Sequence, residues 1–207
     1  MIANTRDPFI YGGAEILENE LEKKLIELGH AVDKFIIPFD HSSLESIADQ
    51  VAFARNVQVL NTDLVIGMRF PAYLVKHANK VIWLVHQYRQ IYDLLGTPNS
   101  PYNEDDEESL IKIKEIIKID KISLEEAQKI FTISDSVAER LSNHHCVTGV
   151  TLNLPPRDFP RHNNHNIETA RKEFLLLPGR INKMKRQHLF IEALKKNSKP
   201  DQTVDCR

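Results

Sequence analysis

Val81-Ile82-Trp83-Leu84-Val85-His86 is the stretch on which the reading of the fold turns. Five apolar residues in a row, too few for a helix, read as a strand buried on both faces, and the polar His86 directly follows it. Outward from there the same kind of run recurs at 2–3, 32–37, 64–67, 129–133 and 147–152. Between the runs lie helical patterns. The first, 14–28, repeats Ala14, Leu17, Leu21, Leu25 and Leu28 at three- and four-residue steps, and Gly29 suits its C′ position. Others cover 43–56, 109–126 and 137–141, the last capped by Ser134 or Asp135. Glu104-Asp105-Asp106-Glu107-Glu108 sits ahead of the 109–126 helix, where carboxylates favour the helix dipole. Strands alternating with helices predict an α/β, Rossmann-like parallel sheet with helices on both faces. The run at 2–3, followed by a polar loop over 4–11, is short for the central place this fold would give it, so residues are expected to precede it.

A second element of the same kind lies near the other end. An apolar run at 174–177 reads as a strand, broken by Pro178-Gly179, and a helical pattern covers 187–196. Arg180 and Lys185 stand in the turn between them. A strand, a glycine turn, two cations and a helix N-terminus together suit a diphosphate. The predicted organisation is a first domain over 1–154, a Pro-rich linker over 155–173 and the beginning of a second domain over 174–207.

The chain has 207 residues, 42% hydrophobic and 27% charged, in the ordinary range for a globular protein. A net charge of −2 offers no footprint for nucleic acid. Its two cysteines, Cys146 and Cys206, match no disulfide or zinc spacing, and no run is long enough to span a membrane. These features predict a cytoplasmic protein, with peripheral membrane contact left open. His144-His145-Cys146 lacks the spacing of a metal site, so no metal and no cofactor are expected.

The chemistry is expected at the carboxyl edge of the sheet, where open α/β sheets bind ligands. His86 should emerge there, with Arg89 three residues on, either facing the ligand or pairing with the acidic run at 104–108. Ser134 follows the strand at 129–133. Gly12-Gly13, before the first helix, allow a phosphate or sugar to approach the backbone closely. Glu15 is read as a first-turn carboxylate with no catalytic role.

In this order the pieces resemble the family-4 glycosyltransferases, which have two Rossmann-like domains (the GT-B architecture). Asn4 to Glu15 looks like their first loop and helix start, and Val81 to Arg89 like their strand with a terminal histidine. Ile130 to Ser134 resembles their strand-to-serine turn, and Pro178-Gly179-Arg180 with Lys185 and Arg186 their donor-domain start. The resemblance implies a sugar moved from a nucleotide-sugar donor to an acceptor hydroxyl with retention and without metal. The acceptor would be a sugar or a lipid-linked acceptor, in a setting such as cell-surface polysaccharide or glycoconjugate synthesis. It places His86 as the catalytic histidine near the transferred sugar, and Arg180 and Lys185, with Gly12 and Gly13, as donor and phosphate ligands. Glu107 and Glu115 have the spacing of that family's paired glutamates but precede Arg180, where the family's pair follows it. With its second domain only begun, the chain alone is expected to bind nucleotide-sugars weakly and to transfer no sugar at a useful rate. Two other readings stay open: a non-catalytic fragment or accessory subunit of such an enzyme, and an oxidoreductase using the first glycine turn for a dinucleotide. Against the latter, Gly12-Gly13 lacks the third glycine of G-x-G-x-x-G.

Overall fold

A computed structural model describes residues 1–7, 11–154, 176–179, 181 and 185–197. The chain divides into two compact units, Met1–Pro156 and Arg157–Arg207.

The first unit is an α/β, Rossmann-like fold on a six-stranded sheet: β1 (Ile2–Arg6), β2 (Lys34–Pro38), β3 (Val65–Arg69), β4 (Lys80–His86), β5 (Lys129–Thr132) and β6 (Val150–Thr151). The order across the sheet is β2-β1-β3-β4-β5-β6, and every neighbouring pair is parallel. Its helices are α1 (Gly13–Glu27), α2 (Leu44–Asn56), α3 (Glu107–Glu125) and α4 (Asp135–His145). From β1 the chain steps one way to β2, and each later step runs the other way. Right-handed crossovers therefore put α1 on one face and the other three helices on the opposite face. The core is divided accordingly. Leu17 of α1 packs with Ile2, Met68 and Val85. Ile47 and Val51 of α2, Ile113 and Ile116 of α3 and Leu141 of α4 share a second cluster with Ala3, Ile82 and Leu84. Along β4 the alternation of Ile82 and Leu84 with Val85 serves the two faces in turn.

β1 is longer than its apolar run. It continues through Asn4, Thr5 and Arg6, where a polar loop was expected, and pairs with β2 over its whole length. Asn4 and Thr5 are fully buried, and each finds a partner there. Asn4 Nδ2 donates to Glu18 Oε2 at 2.6 Å, and the Thr5 hydroxyl donates to Arg69 O at 3.4 Å and accepts from Ala72 N at 3.2 Å. Hydrogen-bonded polar groups can be buried in a central strand, and a hydrophobic pattern does not see them, although Asn4 Oδ1 itself has no partner among the described residues. β2 begins at Lys34 and includes Pro38, and β6 is confined to Val150–Thr151.

The connection from β3 to β4 is a short 3-10 turn (Ala72–Leu74) after a cis Phe70-Pro71 bond. It folds back over β3 so closely that a Cβ on Gly67 would lie 2.5 Å from Tyr73 Cβ. Gly29 ends α1 with φ +89, donating to Ile26 O while His30 donates to Leu25 O, so the last carbonyls of the helix are satisfied. α3 starts within the acidic run, with Asp106 as its cap and Glu107 and Glu108 in its first turn. α4 runs to His145, past the expected end at 141.

In the second unit the described elements are the turn at Gly179, whose φ of +148 suits glycine, and α5 (Gln187–Asn197). Of the expected strand at 174–177 only Leu176 and Leu177 are described, in irregular backbone. The expected linker at 155–173 lies outside the described residues. No helix among the described residues is long and apolar enough to cross a membrane.

Candidate functional site

Because all six strands are parallel, their carboxyl ends share one edge, and the chain's reversal of direction falls between β1 and β3. That switch point is where sheets of this kind leave a crevice for ligands. Here Arg69, the last residue of β3, spans it. Its Nη1 donates to Thr5 O at 2.9 Å and to Glu15 Oε1 at 3.1 Å, and its Nη2 reaches Asp7 Oδ2 at 3.2 Å. Glu15 also accepts from the backbone N–H of Gly12 at 2.7 Å. Glu15 is thus a buried ion-pair partner as well as a helix-start carboxylate. One turn on, buried Glu18 accepts from Arg6 Nη2 at 2.6 Å. The strand ends are tied to α1 by two acid–guanidinium pairs, and the buried Arg69 Nε has no partner among the described residues.

Gly12 is the N-cap of α1, and Gly13 is its first residue. A Cβ on Gly13 would meet nothing within 4 Å among the described residues, so their packing does not require glycine at this exposed helix start.

His86 ends β4 directly beside Arg69, its register partner on β3. Its Nδ1 lies 2.8 Å from Gln87 O. A carbonyl only accepts, so Nδ1 carries the proton and Nε2 of the neutral ring keeps its lone pair. Burial lowers the pKa of the ring below its ordinary value. The bond to Gln87 opposes that shift, and the charges of Arg69, Arg89 and Arg140 reinforce it. At neutral pH His86 is therefore an uncharged base with its Nδ1–H tautomer set by the backbone, standing in a cationic field.

Arg89 opens a short 3-10 turn (Arg89–Ile91) and pairs with Asp93, its Nε 3.0 Å from Oδ2. The acidic run at 104–108 is not its partner. Ser134 is the N-cap of α4, its hydroxyl accepting from Val137 N at 3.4 Å. The fold thus brings Gly12, Gly13, His86, Arg89 and Ser134 to the strand ends of the first unit. Arg180 lies outside the described residues, and Lys185 is an exposed residue of the second unit.

Two residues of the first unit escape a reading by motif. Arg69 carries only the signal of a cation directly ending a buried strand. Asp120 carries a clearer one, since it falls on the same stripe of α3 as Ile113, Ile116 and Leu124, and like them it is buried. It accepts from Tyr73, Gln87 and Tyr92 and makes a second polar centre behind His86. Elsewhere a groove of about 450 Å³ between α2 and α3 is lined by Val51, Arg55, Lys112 and Ile116, among others, and involves none of the strand ends. Among the described residues no group of three or more His, Cys, Asp or Glu side chains is placed to hold a metal.

Comparison with known proteins found no matching family model, no matching curated protein and no matching solved structure.

Proposed function

We propose that the first unit is the acceptor-side domain of a retaining, GT-B-type glycosyltransferase. Such an enzyme moves a sugar from a nucleotide-sugar to an acceptor hydroxyl, in the manner of family 4. The observation that carries the reading is the state of His86: a neutral imidazole at the carboxyl edge whose Nδ1 is committed to Gln87 O. Its Nε2 can accept a hydrogen bond from a sugar hydroxyl, and the cations around it favour the negative charge that develops on a departing nucleotide. The open start of α1 at Gly13 gives a phosphate or sugar room to approach backbone N–H groups. In this reading Arg180 and Lys185 belong to the donor side and hold the diphosphate. Arg89 and Ser134 border the acceptor crevice at the strand ends of the first unit, and no metal takes part. The partners are a nucleotide-sugar donor and a sugar or lipid-linked acceptor, which sets the work at the cytoplasmic side of a membrane, with peripheral contact to it.

Titration of the isotopically labelled chain with short oligosaccharides tests the acceptor side. Binding should move the ring resonances of His86 and the amide of Gly13. His86→Ala should weaken it about tenfold, the value of one well-placed hydrogen bond. Saccharides that bind without perturbing His86, or hydride exchange with an added dinucleotide, would overturn the proposal. Saccharide binding with no transfer from any nucleotide-sugar, even when a donor domain is joined to the chain, would favour an accessory role.

A further inference from the structure

We infer that Asp120 is a positioning residue for His86, acting through Gln87. The inference rests on the reading of His86 as the group that meets the acceptor. Asp120 is fully buried in the last third of α3, a place where a lone carboxylate would be very costly. Three donors converge on it. Tyr73 Oη donates to Oδ1 at 2.7 Å, while Gln87 Nε2 at 3.0 Å and Tyr92 Oη both donate to Oδ2. Burial, with the charge of Asp120, pushes the pKa values of both phenols up, so they stay protonated and can only serve it as donors. The one proton of Tyr92 is committed to Asp120, so His145 Nε2, 3.0 Å from Tyr92 Oη, must donate to that oxygen. The hub therefore joins the turn after β3, the segment after β4, α3 and the end of α4.

Tyr73, Tyr92 and His145 would explain the hub as core structure. Gln87 connects it to the site. Its amide is buried and held by Asp120, and its own carbonyl accepts from His86 Nδ1 at 2.8 Å. The strand ends at His86, so no ladder of backbone bonds fixes the peptide that follows. With its side chain anchored, Gln87 presents that carbonyl in one direction. That in turn sets the tautomer of His86 and leaves the lone pair on Nε2. Outer partners commonly fix a histidine in this way.

The test is the tautomer of His86, read from ring nitrogen shifts of the full chain at neutral pH with no sugar present. The wild-type protein should show a single Nδ1–H form. Gln87→Met keeps the volume and removes the donor, and it should lose that signature to a mixture of tautomers, as should Asp120→Asn. Tyr73→Phe removes a different donor from Asp120 and should leave His86 unchanged. A preserved Nδ1–H form in Gln87→Met, or an equal loss in Tyr73→Phe, overturns the inference. If Asp120→Asn does not fold, Gln87→Met decides alone. Failure to bind saccharides would count against the glycosyltransferase reading and leave this result intact, since the tautomer is read without ligand.

Discussion

Glu15 and Glu18 bring two carboxylates into the layer between α1 and the sheet, and each is met by a guanidinium from a strand end. Breaking one member of a buried pair costs more than the pair contributes, because the surviving charge is left without a partner. Such pairs therefore act as devices of position: Arg69 can satisfy Glu15, Asp7 and Thr5 O together only when β1, β3 and α1 stand in one register. Gly67 works by subtraction. Its missing side chain lets the turn at Ala72–Leu74 lie on β3, with Tyr73 backbone 2.8 Å from where a Cβ would be. Backbone cannot swing aside as the end of a flexible side chain can. Gly67→Ala is expected to lower stability by about 1–3 kcal/mol, the usual cost of overpacking. Urea unfolding checks this: the midpoint should fall with the slope unchanged. An unaltered midpoint would mean that the turn is free to lift from the strand.

At the level of elements, α1 is, among the described helices of the first unit, the one that packs on its face against β1 and β3, so its end matters to the sheet. Gly29 stops it in a left-handed conformation, φ +89, with open space where a Cβ would point. Gly29→Ala therefore costs backbone strain alone, about 1 kcal/mol, and should lower the melting temperature by roughly 2–4 °C. A larger drop would show that the helix end also packs. This cap was legible in the sequence, and so were the main helices and the β4 strand, because apolar spacing and a glycine stop are local signals. The polar half of β1 was not, since Asn4 and Thr5 are buried through partners that folding brings from residues 14 and 64 positions away. The same limit applies to the site. His86 could be placed at the edge because it follows a strand, whereas the role of Arg69 depends on acids 54 and 62 positions away in the sequence. Asp120 was readable in principle as a charge on an apolar stripe, but its connection to Gln87 was not.

Across the first unit as a whole, the two edges of the sheet do different work. The carboxyl edge holds His86 and its cations, while at the start of β4 a second network binds the layers together. Arg55 of α2 reaches Glu126, just after α3, through two bonds of 2.7 and 2.8 Å, and the same carboxylate lies 3.3 Å from Lys80 Nζ. The two partners shift for different reasons. Lys80 is wholly buried, and burial pushes its pKa down to about 8 in spite of Glu126. Glu126 is partly exposed, and its carboxyl is held down at about 2, chiefly by the bonds from Arg55, which outweigh the opposing effect of burial, with the charges of Lys80 and Arg55 adding to them. Both are charged at neutral pH. As the pH falls from about 4.5 towards 2, the unfolded chain takes up a proton at this position that the folded chain refuses, so acid favours unfolding. Because the Glu126 side chain is 36% exposed, solvent screening reduces the contribution to on the order of 1–2 kcal/mol. Glu126→Gln should then be less stable than the wild-type protein at pH 7 by about that amount. Its melting temperature should also fall less steeply on acidification, so that the two proteins converge near pH 2, where the native carboxylate is itself protonated. Melting temperatures taken from pH 7 down to pH 2 read this directly. If the gap at pH 2 equals the gap at pH 7, the charge of Glu126 is not what ties α2, α3 and β4, and the shape of the side chain alone must do it.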